Sequence, residues 1–488
     1  MRRSRLPLLL LLFASLALSA IAVLRGGEYD EFYTLFLLAG DPRPAWPARP
    51  FHPAEIRADF TGTASFARIA TALRRDDVHP PLYFWLAKFW RAAFGPSLRA
   101  LRLLSVLCAI IALALLARIA AALGIDPPTA LILTLGCYGF AYSSIVARDF
   151  SLATLFILAG LLSLLRSKPT ARSDFLAGAL LGAACCTNDL ALFTALAIWL
   201  WLAAHARGRL APTTGGAALF VPLWAWFFLA QRNSRQGQFH HFHASRAVAA
   251  LARDQAAAVL GGLPEYIAPP WSGPLAVALA VFLLLLLLLI LRTRLDQPVK
   301  SLLYVGALAP PLGLLILGLA FDTMPFEIRY VWLGLPFIGL LLAASLAPHP
   351  RLRAALIALN LAALLGLAIA PQTMQPGMRL AQQSAHVAGA QGLIIIPSGN
   401  DGVGIPGPFI SALPARASIL VARRATPHLL SIAAPYPLVV LPDLTVDHAS
   451  RIFTPALIAL FQAAPGWRQQ PGPHNLLIFT HHCQAPHG

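Results

Sequence analysis

Residues 6–32, LPLLLLLFASLALSAIAVLRGGEYDEF, decide the class of this chain. The first nineteen of them, Leu6–Leu24, carry no charge. As a helix rising 1.5 Å per residue they reach roughly 28 Å, close to the hydrocarbon thickness of a bilayer. The run ends at Arg25, and Glu28, Asp30 and Glu31 follow within seven residues. Three arginines precede it, at positions 2, 3 and 5. A basic start and a small-residue stretch near its end also fit a cleaved signal peptide. The apolar run exceeds the usual core of about 7–15 residues, which favours an uncleaved first span. Either way, Arg25 onward is expected outside the cytoplasm.

The rest of the chain agrees. Of 488 residues, 58% are hydrophobic and 12% charged, against about 25% charged in soluble proteins. Too few charges remain to cover a soluble surface of this size. The net charge of +17 does not gather into one patch. Basic residues sit in short links between apolar runs, as the positive-inside rule expects, and nucleic acid is excluded as a partner. The five cysteines suggest no disulfide framework, because Cys108, Cys137, Cys185 and Cys186 lie in apolar runs and leave Cys483 alone.

Placing the basic links 1–5, 166–172, 207–209, 292–300 and 351–353 inside gives a path of about eleven spans. They are expected near 6–24, 98–122, 128–147, 150–165, 174–188, 190–205, 212–230, 272–291, 301–320, 329–347 and 354–370. The outer side then receives two long loops, 25–97 and 231–272, and everything from residue 371. It also receives the turns at Arg148-Asp149, Asn188-Asp189 and 322–329, all carrying ionisable groups. Charges at membrane depth are costly and usually line a cavity, so a site is expected where these turns gather. Residues 80–94, PPLYFWLAKFWRAAF, are aromatic and basic but short, and fit a helix lying in the interface. Residues 1–370 therefore form a membrane domain. Residues 371–488 alternate short β-prone runs (393–396, 419–421, 438–441, 476–479) with helical ones such as 449–463, and predict a small α/β domain.

Chemistry concentrates in the first outer loop. It opens with Glu28-Tyr29-Asp30-Glu31-Phe32 and later carries Asp76-Asp77-Val78-His79-Pro80-Pro81-Leu82-Tyr83. A carboxylate at the membrane surface can act as general base for a hydroxyl whose partner is anchored in lipid. The paired prolines end one helix and begin the next, placing the acids at a helix start.

These motifs resemble the polyprenyl-phosphate-dependent glycosyltransferases of the GT-C fold, the group of the protein O-mannosyltransferases and the bacterial aminoarabinose and lipopolysaccharide-core sugar transferases. The resemblance rests on the Asp-Glu pair after the first span and on Asp-x-His-Pro-Pro-Leu in the same loop. It extends through Gly95-Pro96-Ser97, Ala100-Leu101-Arg102-Leu103-Leu104-Ser105, Ala147-Arg148-Asp149-Phe150-Ser151-Leu152, and Arg329-Tyr330 before Leu335-Pro336. At Arg148-Asp149-Phe150 the group more often has Arg-x-Tyr, so this chain departs from the pattern there. The tail is similar in placement only.

The resemblance implies a polytopic helical membrane protein of GT-C type in the bacterial inner membrane, its site and tail extracytoplasmic. Asp30 would be the general base and Glu31 would orient the acceptor or contact the sugar. Asp77, His79, Arg148, Arg329 and Tyr330 would bind substrate. The donor would be a sugar on polyprenyl phosphate, and the acceptor a hydroxyl of a lipid, glycan or protein. Arginine suits the departing phosphate because its planar fork donates two hydrogen bonds. Arg148 and Arg329 also fit interfacial snorkelling residues, and His79 also fits a simple cap on the Pro-Pro helix. The resemblance identifies no definite cofactor, and use of a divalent metal stays open. His240, His241 and His243 are too close in sequence to face one ion together. His481, His482, Cys483 and His487 are expected to have no role, Cys185-Cys186 to pack, and Asp189 to line a cavity or a wet turn. A transporter or lipid flippase is the alternative, although such proteins favour midplane charges and repeated halves. A non-enzymatic assembly protein would have no need of the acidic pairs.

One outcome tests the orientation. In intact cells, an impermeant thiol label should reach a cysteine placed at Ser398 and miss one at Ser167; the reverse pattern would invert the topology.

Overall fold

The computed structural model describes residues 5–166, 168–232, 239–267, 270–369, 376–399, 402–443, 453–473 and 476–481. Among them, six helices are long and apolar enough to cross a membrane: Leu6–Leu24, Leu98–Ala122, Ser272–Leu291, Gln297–Phe321, Ile328–Ser345 and Pro350–Ile369. Two further pairs qualify when each is taken as one broken span. Their outward faces are those of a membrane protein. Leu8, Leu16, Leu24, Val277, Ile316 and Leu319 are all more than half exposed, which water would not tolerate along whole helices.

The breaks have local causes. The expected span 128–147 divides at Cys137, whose extended backbone ends the helix Pro127–Gly136 and starts Tyr138–Ile145. That second helix then meets Phe150–Leu164 at 114° across 146–149. The expected span 212–230 is bent by 60° between the segments Arg207–Ala218 and Val221–Gln231. Pro222 stands in the first turn after the bend, where it lacks the N–H that would bond back into the incoming helix. The span expected at 329–347 begins as a 3-10 turn, Ile328–Gly334, and becomes regular only at Leu335–Ser345. Residues 82–94 form a helix that buries Tyr83, Phe84, Ala87 and Arg91 and leaves Phe89 and Phe94 exposed.

Contacts divide the chain into two compact units. One comprises Met1–Arg25, Leu73–Gly95 and Arg99–Ala370. Its tightest crossing is between Ala171–Cys185 and Leu210–Ala218, where small residues let two backbones touch. A Cβ at Gly178 would lie 1.8 Å from the Thr213 carbonyl oxygen, and one at Gly216 would lie 1.9 Å from that of Phe175. In lipid, where water does not drive helices together, such close packing supplies much of the attraction.

The other unit comprises Gly26–Ala72, Pro96–Leu98 and Pro371–Gly488. Its sheet has the order β2-β1-β3-β5-β4, with β1 Gly392–Pro397, β2 Ser418–Ala422, β3 Leu438–Pro442, β4 Trp467–Pro471 and β5 Leu476–His481. The first three strands are parallel, and β5 runs antiparallel to both β3 and β4. Every residue of β1 is buried, as befits the strand at the centre of the parallel part. Strand β4 reads WRQQP, exposed after its first residue, and carries no hydrophobic alternation by which the sequence would reveal it. Helix Phe453–Ala463 occupies most of the expected 449–463 segment; 449–452 lie outside the described residues. So do Ser167, His482, Cys483 and His487. Ser398 is buried, so Ser431, exposed on the same unit, is the better labelling position.

Gly178→Ala forces the two helices apart. Overpacking of this kind costs about 1–3 kcal/mol, and a lowered Tm of the detergent-solubilised protein should report it. An unchanged Tm would show that the crossing has slack.

Candidate functional site

The site of the first unit is built around one turn. After Asp76 the chain leaves its helix, and the Asp77 carboxylate folds back on its own backbone, where Oδ1 accepts from the amides of Val78 (2.6 Å) and His79 (3.1 Å). The same oxygen meets His79 Nδ1 at 2.5 Å. Pro80 and Pro81 then launch the helix Leu82–Phe94, so the turn is fixed on both sides. Gln231, the last residue of its helix, donates from Nε2 to the carbonyls of Leu73 (2.9 Å) and His79 (3.0 Å).

The 114° bend supplies the other half. It carries Arg148 and Asp149, 3% and 0% exposed. Arg148 Nη2 lies 3.2 and 3.4 Å from the two ring nitrogens of His79, and Asp149 Oδ2 lies 3.9 Å from Nε2. Asn188 donates to Asp149 Oδ2 at 3.1 Å. Burial would raise the Asp77 carboxyl, but His79 and Arg148 more than offset it and hold the group well below the usual carboxylate range. An ionised Asp77 at 2.5 Å holds the proton on Nδ1 of His79 and leaves Nε2 facing Arg148 and Asp149.

His79 also lines a cavity of about 530 Å³. Its polar wall includes Asn188, Asp189, Arg232, His241, Asp322 and Tyr330, and its apolar wall includes Leu190, Phe228, Leu314, Leu317 and Phe321. Trp224 fixes Asp189 through a 2.8 Å indole hydrogen bond. His241 Nδ1 meets Asp322 Oδ2 at 2.7 Å, and the Phe242 amide donates to the other oxygen. Arg329 pairs with Glu327 at 2.6 Å and stands over the Tyr330 ring.

The structure thus joins Asp77, His79 and Arg148 directly and brings Tyr330 to the cavity that His79 lines. Arg329 adjoins Tyr330 in sequence but turns to Glu327. Asp149, Asn188 and Gln231 are additions. Asp149 appears in the sequence as a charge in a turn and within the Ala147–Leu152 motif without an assigned role, and a polar residue ending an apolar run is the sole signal for Gln231. Among the described residues, no group of three or more His, Cys, Asp or Glu side chains stands close enough to hold a metal ion.

Asp30 and Glu31 belong to the second unit. They lie in the first turn of Tyr29–Ala39, which begins with a capping box. Glu28 accepts from the Asp30 amide at 2.9 Å, and Glu31, fully buried, accepts from the Glu28 amide at 2.7 Å. Glu31 therefore has a structural duty at the helix start, while Asp30 is half-buried beside it.

No known family profile matches the chain, and no curated protein does. Among solved structures it is similar to the crystal structure of ArnT from Cupriavidus metallidurans in the apo state, at 13% identity and a TM-score of 0.55 over 97% of both chains. It is similar also to ArnT of that organism bound to undecaprenyl phosphate, at 12% identity and a TM-score of 0.53 over 97% of both chains. The chain is an integral membrane protein with the GT-C fold.

The sign of the Asp77 shift sets a pH test. A carboxyl held low in the folded state adds stability that is fully present above its unfolded pKa of about 3.9 and is lost as pH falls through the lower folded value. Asp77→Asn should therefore lower Tm by a constant amount between pH 6 and 8, with the gap to wild type closing in acid. A gap that widens on acidification would contradict this assignment.

Proposed function

We propose that the protein is a membrane glycosyltransferase that moves a sugar from a polyprenyl-phosphate donor to a hydroxyl of a lipid, glycan or protein acceptor. The observation that carries this reading is the cavity at His79, whose wall is ionisable on one part and leucine and phenylalanine on another. An amphiphile with an anionic head and an isoprenoid tail matches that division. The fold is one in which ArnT binds undecaprenyl phosphate.

In the reaction, the acceptor oxygen attacks the anomeric carbon and the bond from that carbon to the phosphate oxygen breaks. The electron pair leaves with the lipid phosphate, and the acceptor proton passes to a base. Asp30 is our assignment for that base. Charge growing on the leaving phosphate needs fixed donors, and Arg148, His79 and Tyr330 are the groups we assign to it, with Arg329 as a further cation. Preorganised donors in a water-poor site act strongly because they need not reorient as charge develops. We place the reaction on the outer face of a bacterial inner membrane, following the distribution of basic links.

Asp30→Asn keeps size and much of the hydrogen bonding but cannot accept the proton. It should leave a folded, inserted protein that binds donor lipid, with transfer reduced by about 10²-fold or more. Glu31→Gln keeps an oxygen that can accept from the Glu28 amide, so it should leave stability nearly unchanged and reduce transfer less. Full activity of Asp30→Asn with a defined donor and acceptor would remove Asp30 as the base and leave Asp77 as the next candidate.

A further inference from the structure

The strand β1 is followed by Gly402-x-Gly404-x-x-Gly407, and the helix Pro406–Ala412 opens within that run. Between a strand and a helix, this spacing is that of a dinucleotide-binding turn, in which glycines admit a pyrophosphate. Here aromatic rings of the same unit occupy the space. A Cβ at Gly404 would stand 1.5 Å from Cε2 of Tyr29, and one at Gly407 would stand 3.0 Å from Cβ and Cγ of Phe32. The indole of Trp46 donates to the Gly402 carbonyl at 2.6 Å. Gly402 itself has φ +74°, a conformation that leaves little room for another residue.

Tyr29, Phe32 and Phe36 recur at positions i, i+3 and i+7 and so share one face of the helix Tyr29–Ala39. Phe32 and Phe36 are fully buried, and Phe36, Trp46 and Phe60 form an edge-to-face cluster behind them. The following segment stays on the sheet domain. Phe51 exchanges two 2.9 Å backbone hydrogen bonds with Ile419 of β2, and His52 Nδ1 meets the Ala417 carbonyl at 3.0 Å. Asp30 and Glu31 lie between Tyr29 and Phe32, in the turn whose seat the glycines form.

We propose that Gly404 and Gly407 of the C-terminal domain are positioning residues for Asp30 and Glu31, forming a flat seat for Tyr29 and Phe32 that sets where the two carboxylates stand. The inference deepens the reading of Asp30 as the base and gives the C-terminal domain a part in turnover. A side chain at Gly404 displaces the Tyr29 ring and with it the helix start. One at Gly407 asks Phe32 to give by a few tenths of an ångström. The effects should be graded, and donor binding, which the seat does not touch, should persist.

The test uses the full-length protein in nanodiscs, with Gly404→Ala, Gly407→Ala, Tyr29→Ala and the double variant Gly404→Ala with Tyr29→Ala. We expect Gly404→Ala to lower kcat about tenfold or more, with KM for the lipid-linked donor within about twofold of wild type, and Gly407→Ala to lower kcat less. Removing the ring should make room for the added methyl, so the double variant should recover part of the kcat lost in Gly404→Ala. Hydrogen exchange over residues 29–39 should be faster in Gly404→Ala than in wild type. That arm reads the seat even where no sugar is transferred, which separates a failure of the seat from a failure of Asp30 as base. Wild-type kcat and unchanged exchange in Gly404→Ala would overturn the proposal. So would a loss shared equally by kcat and donor binding and not relieved by Tyr29→Ala, which marks general destabilisation.

Discussion

The His79 imidazole is held between the carboxylates of Asp77 and Asp149, with the Arg148 guanidinium against it, and all four side chains are buried. Isolated, each buried charge would cost several kcal/mol even after relaxation. Together, the guanidinium offsets part of the charge on the two acids, and Asn188 and the amides of Val78 and His79 satisfy some of the remaining lone pairs. This cluster constrains the surrounding helices. Arg148 and Asp149 can meet His79 because the chain turns by 114° beside them. Irregular backbone at such depth is tolerated only where protein or a water-filled cavity covers it, and these residues are covered. The 60° break that leads to Gln231 ends in the same way, with an amide spent on two backbone carbonyls of the Asp77–His79 turn.

The cavity follows from that arrangement. His79 is the point at which a closed network of charges meets an open space, so a ligand there contacts a group already oriented from behind. The volume of about 530 Å³ falls within the range of about 300–1,000 Å³ typical of small-molecule sites. Arg232 and Asp322 directly follow the helices that supply Phe228 and Leu314, Leu317 and Phe321. Polarity thus changes along the helix axes, which suits a ligand with a charged head and a hydrocarbon tail.

Much of this was legible in the sequence, and the limits have physical causes. Helices fall at or near every expected span, because lipid imposes one strong rule that composition displays directly. The breaks were harder to see. Cys137 looks like any apolar residue, and Pro222 sits inside a run whose hydropathy never drops. Asp77 and His79 were legible as a pair since a single residue separates them and two prolines follow. Their link to Arg148 joins positions 69–71 apart in the chain, and only the resemblance brought them into one list. The strands β1, β2, β3 and β5 could be found from short apolar runs, whereas β4 is polar and receives its conformation from β5. The glycine seat was not found at all, because a glycine's purpose is set by what touches it.

That seat bears on how the carboxylates of residues 28–31 divide their work. Three acids stand within four positions, and like charges so close would repel unless something anchored them. Glu28 and Glu31 are anchored to one another's backbone in the capping box, and acids near a helix N-terminus are favoured by its dipole. The box therefore occupies the two glutamates and presents Asp30 from a turn that cannot fray easily. Aromatic packing on Gly404 and Gly407 fixes the same turn from its other side. The base we propose at Asp30 would need such immobility, because proton transfer in an ordered site depends on a separation held within tenths of an ångström. Capping fixes the turn's internal geometry and the glycines fix its location, and neither device alone would do both.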